Sequence, residues 1–135
     1  MSDIEEPRPG LTGEARLEVG PADTAQALGS GDVPVLGTPR VLALAEEATV
    51  AALAGRLEPG RTTVGTSVGL RHLAASPVGA RVRVRAELRE ADGRRLVFAV
   101  EAVQEGGPGG GRVVADGTVE RVVVDRERFI ASAAG

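Results

Sequence analysis

Thr38-Pro-Arg-Val-Leu-Ala-Leu-Ala-Glu46-Glu-Ala-Thr-Val-Ala-Ala-Leu-Ala-Gly-Arg-Leu57-Glu-Pro-Gly60 is the stretch on which the fold turns. A Thr able to cap a helix stands before a Pro suited to the first helical position, and Glu58-Pro59-Gly60 cannot continue a helix, so the spacing predicts one helix from Pro39 to about Leu57. At 100° per residue Val41, Leu44, Ala45, Ala48 and Ala52 form one apolar stripe. Leu42 and Leu53 carry apolar character round to the side of Glu46, so burial nearly all round is expected. Glu46 and Glu47 are the only charges between Arg40 and Arg56.

Away from this segment in both directions the hydrophobic period falls from 3.6 to two. Glu14 to Val19 alternates as a short strand. Residues 20 to 37 hold four Gly, two Pro and two Asp and read as an irregular cover with a helical turn near Thr24 to Leu28. After the helix, Thr62 to Leu73 places Val64, Thr66, Val68, Leu70 and His72 on one face of a strand. Ala80 to Glu90 places Val82, Val84, Ala86 and Leu88 inward, against an outward stripe of Arg81, Arg83, Arg85 and Arg89. Asp92-Gly93 signals a hairpin into a strand from Arg94 to about Gln104, with Leu96, Phe98, Val100 and Ala102 inward. Gly106 to Gly111 reads as a flexible loop, and Arg112 to Val124 as the last strand. The expectation is an α+β domain over residues 14–129, an antiparallel sheet of about five strands wrapped around one central helix, with a loose lead at 1–13 and a frayed end at 130–135. Such a sheet has free edges, and two-fold pairing of edges in a homodimer would cover one.

Composition removes whole reaction classes. The 135 residues, 42% hydrophobic and 26% charged, lie in the globular range, and the net charge of -3 gives no reason to expect polyanion binding. All cations are Arg. Without Lys there is no Schiff base and no P-loop; without Cys there is no thiolate, disulfide or Cys-based zinc site. A single His, His72, cannot make a His-rich metal centre, and two Phe make a poor platform for nucleobases. The acidic, Pro-broken N-terminus lacks the form of a signal peptide and no run is long enough to span a membrane, so the default is a soluble cytoplasmic protein without a metal or a separate cofactor.

Few residues are left to carry chemistry. Gly65-Thr-Ser-Val-Gly69 matches a nucleophile elbow by letters, but it lies within a continuous strand pattern, not at a strand-to-helix turn. Its glycines read instead as relief for a ligand or a neighbouring backbone. A carboxylate on an apolar helix is costly unless paired, which draws attention to Glu46, although Glu46 or Glu47 could equally reach a solvent edge or cap an Arg. His72, at the end of a strand, could meet Glu46 in one cleft as an acid and base pair. Thr38 could add a hydroxyl beside the positive end of the helix, or serve only as its cap. The Arg stripe reads as a solvated strand face, or as a site for phosphates.

Together Thr38 to Ala48, Leu57-Glu-Pro-Gly60, Val64-Gly-Thr66 and His72-Leu-Ala-Ala-Ser-Pro-Val-Gly79 resemble the hotdog-fold acyl-CoA thioesterases of the fluoroacetyl-CoA thioesterase type, as do Ala86-Glu-Leu88 and Asp92-Gly-Arg-Arg95. The resemblance implies a hotdog fold, dimers with clefts near the subunit interface, and hydrolysis of a small acyl-CoA or acyl-carrier thioester. It places Thr38, Glu46 and His72 at that family's catalytic positions and Gly65, with Thr66 beside it, at the acyl site. Glu46 would be nucleophile or water-activating base, His72 the acid-base partner, and Thr38 the hydroxyl that positions the carboxylate. The cover at 20–37 has no Phe, whereas the fluoroacetyl enzyme presents aromatic residues over its acyl group. A hotdog hydratase or dehydratase and a non-catalytic acyl-CoA-binding module are the alternatives. Coenzyme A enters as part of the substrate, and neither a nucleic acid nor a membrane is an expected partner.

Overall fold

The computed structural model describes residues 4–106 and 111–135. The order is β1 (Thr12–Glu18), a 3-10 turn (Pro21–Asp23), α1 (Ala25–Leu28), α2 (Thr38–Ala52), β2 (Arg61–His72), β3 (Arg81–Asp92), β4 (Arg95–Glu105), β5 (Arg112–Asp125) and α3 (Arg126–Ala133). Five strands form one antiparallel sheet in the order β1-β3-β4-β5-β2, so the free edges are β1 and β2. The α+β expectation of one helix inside a five-stranded sheet holds: α2 packs against every strand.

Alternation set the faces of β3 and β4 as expected. Val82, Val84, Ala86 and Leu88 are buried with Leu96, Phe98, Val100 and Ala102, under the α2 stripe of Val41, Leu44, Ala45, Ala48 and Ala52. Asp92 pairs with Arg95 across a two-residue turn whose first residue, Gly93, takes φ +61, the backbone that a two-residue hairpin requires there.

The boundaries moved where local signals compete with packing. Helix α2 ends at Ala52 and not near Leu57, since Gly55 adopts φ +74 and turns the chain before Pro59 can. One face of α2 is open: Ala43, Glu47, Val50 and Ala51 are exposed, against the expected burial all round. Thr12 and Gly13, placed in the loose lead by sequence, open β1. The C-terminal segment expected to fray forms α3, whose cap is Asp125 accepting from the Arg128 N–H at 2.9 Å. The glycine-rich loop expected at 106–111 falls mostly outside the described residues. Strand β2 does not neighbour β3; residues 73–80 carry the chain across so that β2 pairs with β5.

A bulge at Thr66 interrupts β2, between the Gly65–Arg121 and Ser67–Glu120 pairs. The extra residue reverses the alternation, so Thr63 and Gly65 share the helix-facing side with Val68, Leu70 and His72, whereas Val64 and Thr66 turn to the other side. The single-face reading of Val64 through His72 is thereby corrected.

Gly13 is where β1 lies directly on the helix. A methyl group there would overlap the backbone N of Ala52 and O of Ala48, neither of which can rotate away. Gly13→Ala should therefore force β1 and α2 apart and lower the unfolding free energy by about 2 kcal/mol, as overpacking does. Urea denaturation checks this: an unchanged midpoint would contradict the close approach of Gly13 to α2.

Candidate active site

Thr38 does not spend its hydroxyl on the helix. Gly37 is the N-cap of α2, no side chain caps it, and Thr38 is already inside the first turn. Its Oγ1 lies 2.9 Å from Nδ1 of His72. His72 is the last residue of β2, held by the ladder opposite Ala115, and the next residue leaves the sheet. The chain entering α2 is tied by Leu36 N–H to Ser76 O at 2.9 Å, in the segment that continues from the strand end, and by Gly37 N–H to Asp23 O at 2.9 Å in the 3-10 turn. The helix start and the strand end are therefore brought together by the main chain, and the two side chains follow.

Thr38 and His72 form part of the wall of an open cavity of about 320 Å³, lined also by Ala25, Ser30, Gly31, Val33, Val35, Leu36, Gly37 and Leu73 to Ala75. The wall is small and mostly apolar, and neither Phe takes part. Burial holds the His72 imidazole below the ordinary histidine value of 6.5, an effect partly offset by the Ala74 backbone. Its Nε2 is buried and has no hydrogen-bond partner of normal geometry among the described residues. A neutral imidazole with one nitrogen engaged by a hydroxyl and the other unspent is equipped to accept or donate a proton.

Glu46 lies elsewhere. Its Oε2 accepts from Nη1 of Arg121 at 3.1 Å, and its side chain keeps 33% of its surface exposed. Glu47 is the exposed member of the pair, 3.9 Å from Arg40, so the ambiguity between the two carboxylates resolves in favour of Glu46 as the inward one. Arg121 is buried and also donates from Nε to Thr63 Oγ1 at 2.9 Å and from Nη2 to Thr63 O at 3.1 Å. Gly65 makes the arrangement possible, because a methyl group there would overlap Glu46 Oε2. Sequence reading missed Arg121, yet a signal existed: it has the parity of Val119 and Val123 on β5, an inward position in an otherwise apolar row.

Within one chain the predicted residues fall into two groups, Thr38 with His72, and Glu46 with Gly65. Glu46 does not line the cavity that Thr38 and His72 share. It lies eight positions beyond Thr38 on the helix, roughly 12 Å along the axis. Thr66 belongs to neither group; its hydroxyl bonds the Glu120 carboxylate at 3.0 Å, which in turn pairs with Arg95. In the Arg stripe, the exposed Arg81, Arg85 and Arg89 have Glu18 or the half-buried Glu87 as partners at 3.7–3.9 Å, which fits a solvated face. Ser67 lies within β2, with no elbow geometry. Among the described residues no group of three or more His, Cys, Asp or Glu could hold a metal ion, and no helix is long and apolar enough to cross a membrane.

A helix wrapped by a curled antiparallel sheet, with polar groups at the helix start and on its open flank, defines a hotdog-fold protein of the thioesterase type. Residues 19–127 match the fluoroacetyl-CoA-specific thioesterase family, and the chain belongs to that family. It is 41% identical over 95 residues to the fluoroacetyl-CoA thioesterase of Streptantibioticus cattleyicolor, a match spanning 70% of this chain and 65% of that protein. A variant of the fluoroacetyl-CoA thioesterase solved with acetyl-CoA is similar over 95% of this chain and 97% of its own, with 34% identity and a TM-score of 0.85. A thioesterase superfamily member from Thermus thermophilus is similar over 99% and 93% respectively, at 29% identity and a TM-score of 0.84.

Since His72 is the only histidine, its proton can be followed without assignment. The imidazole C2–H resonance should titrate with a midpoint below 6.5. Because folding favours the neutral ring, the unfolded chain binds more protons below that pH. The stability this group contributes should be complete above pH 6.5 and decline as the pH falls below it. A midpoint at or above the ordinary value would contradict the burial seen here.

Proposed function

We propose that this protein is a thioesterase that hydrolyses a small acyl-CoA to the free acid and coenzyme A, with Thr38, Glu46 and His72 as its catalytic residues and Gly65 at the acyl site. The observation that carries the reading is the Thr38–His72 contact on the wall of a small cavity at the N-terminus of α2. The net reaction adds water across the C–S bond, the hydroxyl going to the acyl carbon and the proton to sulfur. Glu46 supplies the carboxylate that attacks or that takes the proton of the attacking water, and His72 exchanges the proton with the leaving thiol. The partial positive charge at the start of α2 favours the oxyanion. A volume of about 320 Å³ walled by Ala, Gly and Val fits a short acyl group. The relatives' names and the acetyl-CoA complex of one of them support coenzyme A as the carrier of the acyl group. Fluorine selectivity has no support in a wall without aromatic rings.

The separation of Glu46 from His72 is met by dimerisation. Edge strand β2 is exposed at Gly65, Thr66, Ser67 and Gly69, a free ladder through its middle. Two-fold antiparallel pairing centred on Gly69, with Thr66 bulged out of the ladder, sets Val68 opposite Leu70 and Gly65 opposite His72 of the other chain, each pair on the helix-facing side. Glu46, which lies against Gly65, then enters the partner subunit's Thr38–His72 cavity.

Thiol release from short acyl-CoAs tests the activity, with Glu46→Ala and His72→Ala each expected to lower kcat/KM by about 10²- to 10⁴-fold while remaining folded. Mixing the two inactive variants tests the shared site. Random exchange should restore about a quarter of the wild-type rate, since half of the dimers then hold one intact site. No restoration with exchange demonstrated places the site within one chain, and ligand recovered unchanged across an acyl panel overturns the thioesterase reading.

A further inference from the structure

The proposed chemistry names no task for Arg121, the one fully charged side chain among the buried residues described. It stands on β5 between the inward positions of Val119 and Val123, where apolar side chains would pack at no desolvation cost. Its three bonds have a direction. Two go to Thr63, one to the hydroxyl and one to the main-chain carbonyl, on the neighbouring strand β2, where Thr63 pairs with Val123. The sheet therefore fixes the plane of the guanidinium independently of the helix. Only the third bond, from Nη1, reaches Glu46, and it takes Oε2 alone; Oε1 accepts no hydrogen bond among the described residues.

We propose that Arg121 is a positioning residue for Glu46: braced on Thr63, it ties down Oε2 in the space left by Gly65, so that Oε1 is the one oxygen presented for reaction. This inference rests on Glu46 being the catalytic carboxylate. A Glu side chain on a helix flank, a third exposed, would otherwise sample several rotamers, and misplacement by about 1 Å can cost about 10²-fold in rate. The nearby Arg40–Glu47 pair shows the contrast, a 3.9 Å contact with the carboxylate 60% exposed and no bracing from the sheet. A Lys would keep the charge at 121 but could not serve both Thr63 acceptors and Glu46 in the planar fork that Arg provides.

The test uses the full-length protein, acetyl-CoA as probe, and four variants whose folding is checked by thermal melting. Arg121→Lys should lower kcat by about 10- to 10²-fold with KM changed by no more than about twofold, because the reacting oxygen is displaced while the substrate pocket is not. Thr63→Val removes one brace without touching Glu46 and should lower kcat in the same manner, whereas Thr63→Ser keeps the hydroxyl and should keep the rate. A merely structural role would leave kcat per folded molecule intact in every variant, which would overturn the proposal, as would equal losses in Thr63→Val and Thr63→Ser. Glu46→Gln is the control: if it retains wild-type activity, the catalytic role of Glu46 fails, and the positioning role with it. If it is inactive while Arg121→Lys and Thr63→Val are folded and fully active, only the positioning role fails.

Discussion

The apolar stripe of α2 has to be kept from water, and the chain does this by curling one sheet around it. The stripe is built of small residues, Ala45, Ala48 and Ala52 beside Val41 and Leu44, so the strands come close; at Gly13 the contact is backbone against backbone. Only one aromatic ring, Phe98, is needed to fill the core. Such tight packing fixes the seat of α2 against the sheet, and the polar groups on its sheet-facing flanks are held in register with the strands beside them. The position of Thr38 against His72 and of Glu46 against Arg121 both follow from where this helix is allowed to sit.

Two polar pairs interrupt that apolar frame, and they are built differently. Thr38 and His72 meet at the end of the sheet, where the main chain leaves regular structure; burial favours the neutral ring, and no charge is brought in. Glu46 and Arg121 meet on the open flank of the helix as an ion pair with one member buried and the other partly exposed. The first leaves a neutral ring beside a hydroxyl, and the second holds a carboxylate against a guanidinium braced by the sheet. Edge strand β2 connects the two, since it carries Thr63 and Gly65 at one group and His72 at the other.

Much of the fold was legible because β3 and β4 alternate without interruption and because the helix carries five stripe positions between a Pro and a Gly. The candidates Thr38, Glu46 and His72 stood out in the sequence as the few polar groups placed where the pattern expects apolar ones or an element end. The rest depended on contacts remote in sequence. The true end of α2 was set by Gly55, and the bulge at Thr66 reassigned faces that strict alternation had joined. The free hydroxyl of Thr38 emerged only once Gly37 was seen to begin the helix. Arg121, at an inward parity position, was masked by the fifteen other arginines, nearly all of them on the surface.

By itself the sequence determined which residues face inward along each regular element and which chemistries the chain can perform, since periodicity and side-chain type are local properties. Only the tertiary structure decided that β2 crosses to lie beside β5, which puts Thr63 within reach of an Arg 58 positions away. It also decided that the carboxylate and the imidazole occupy different stations on one chain. The reason is physical: strand order and the spacing of side chains across a core come from how curved surfaces close on one another, and no run of neighbouring residues encodes that closure.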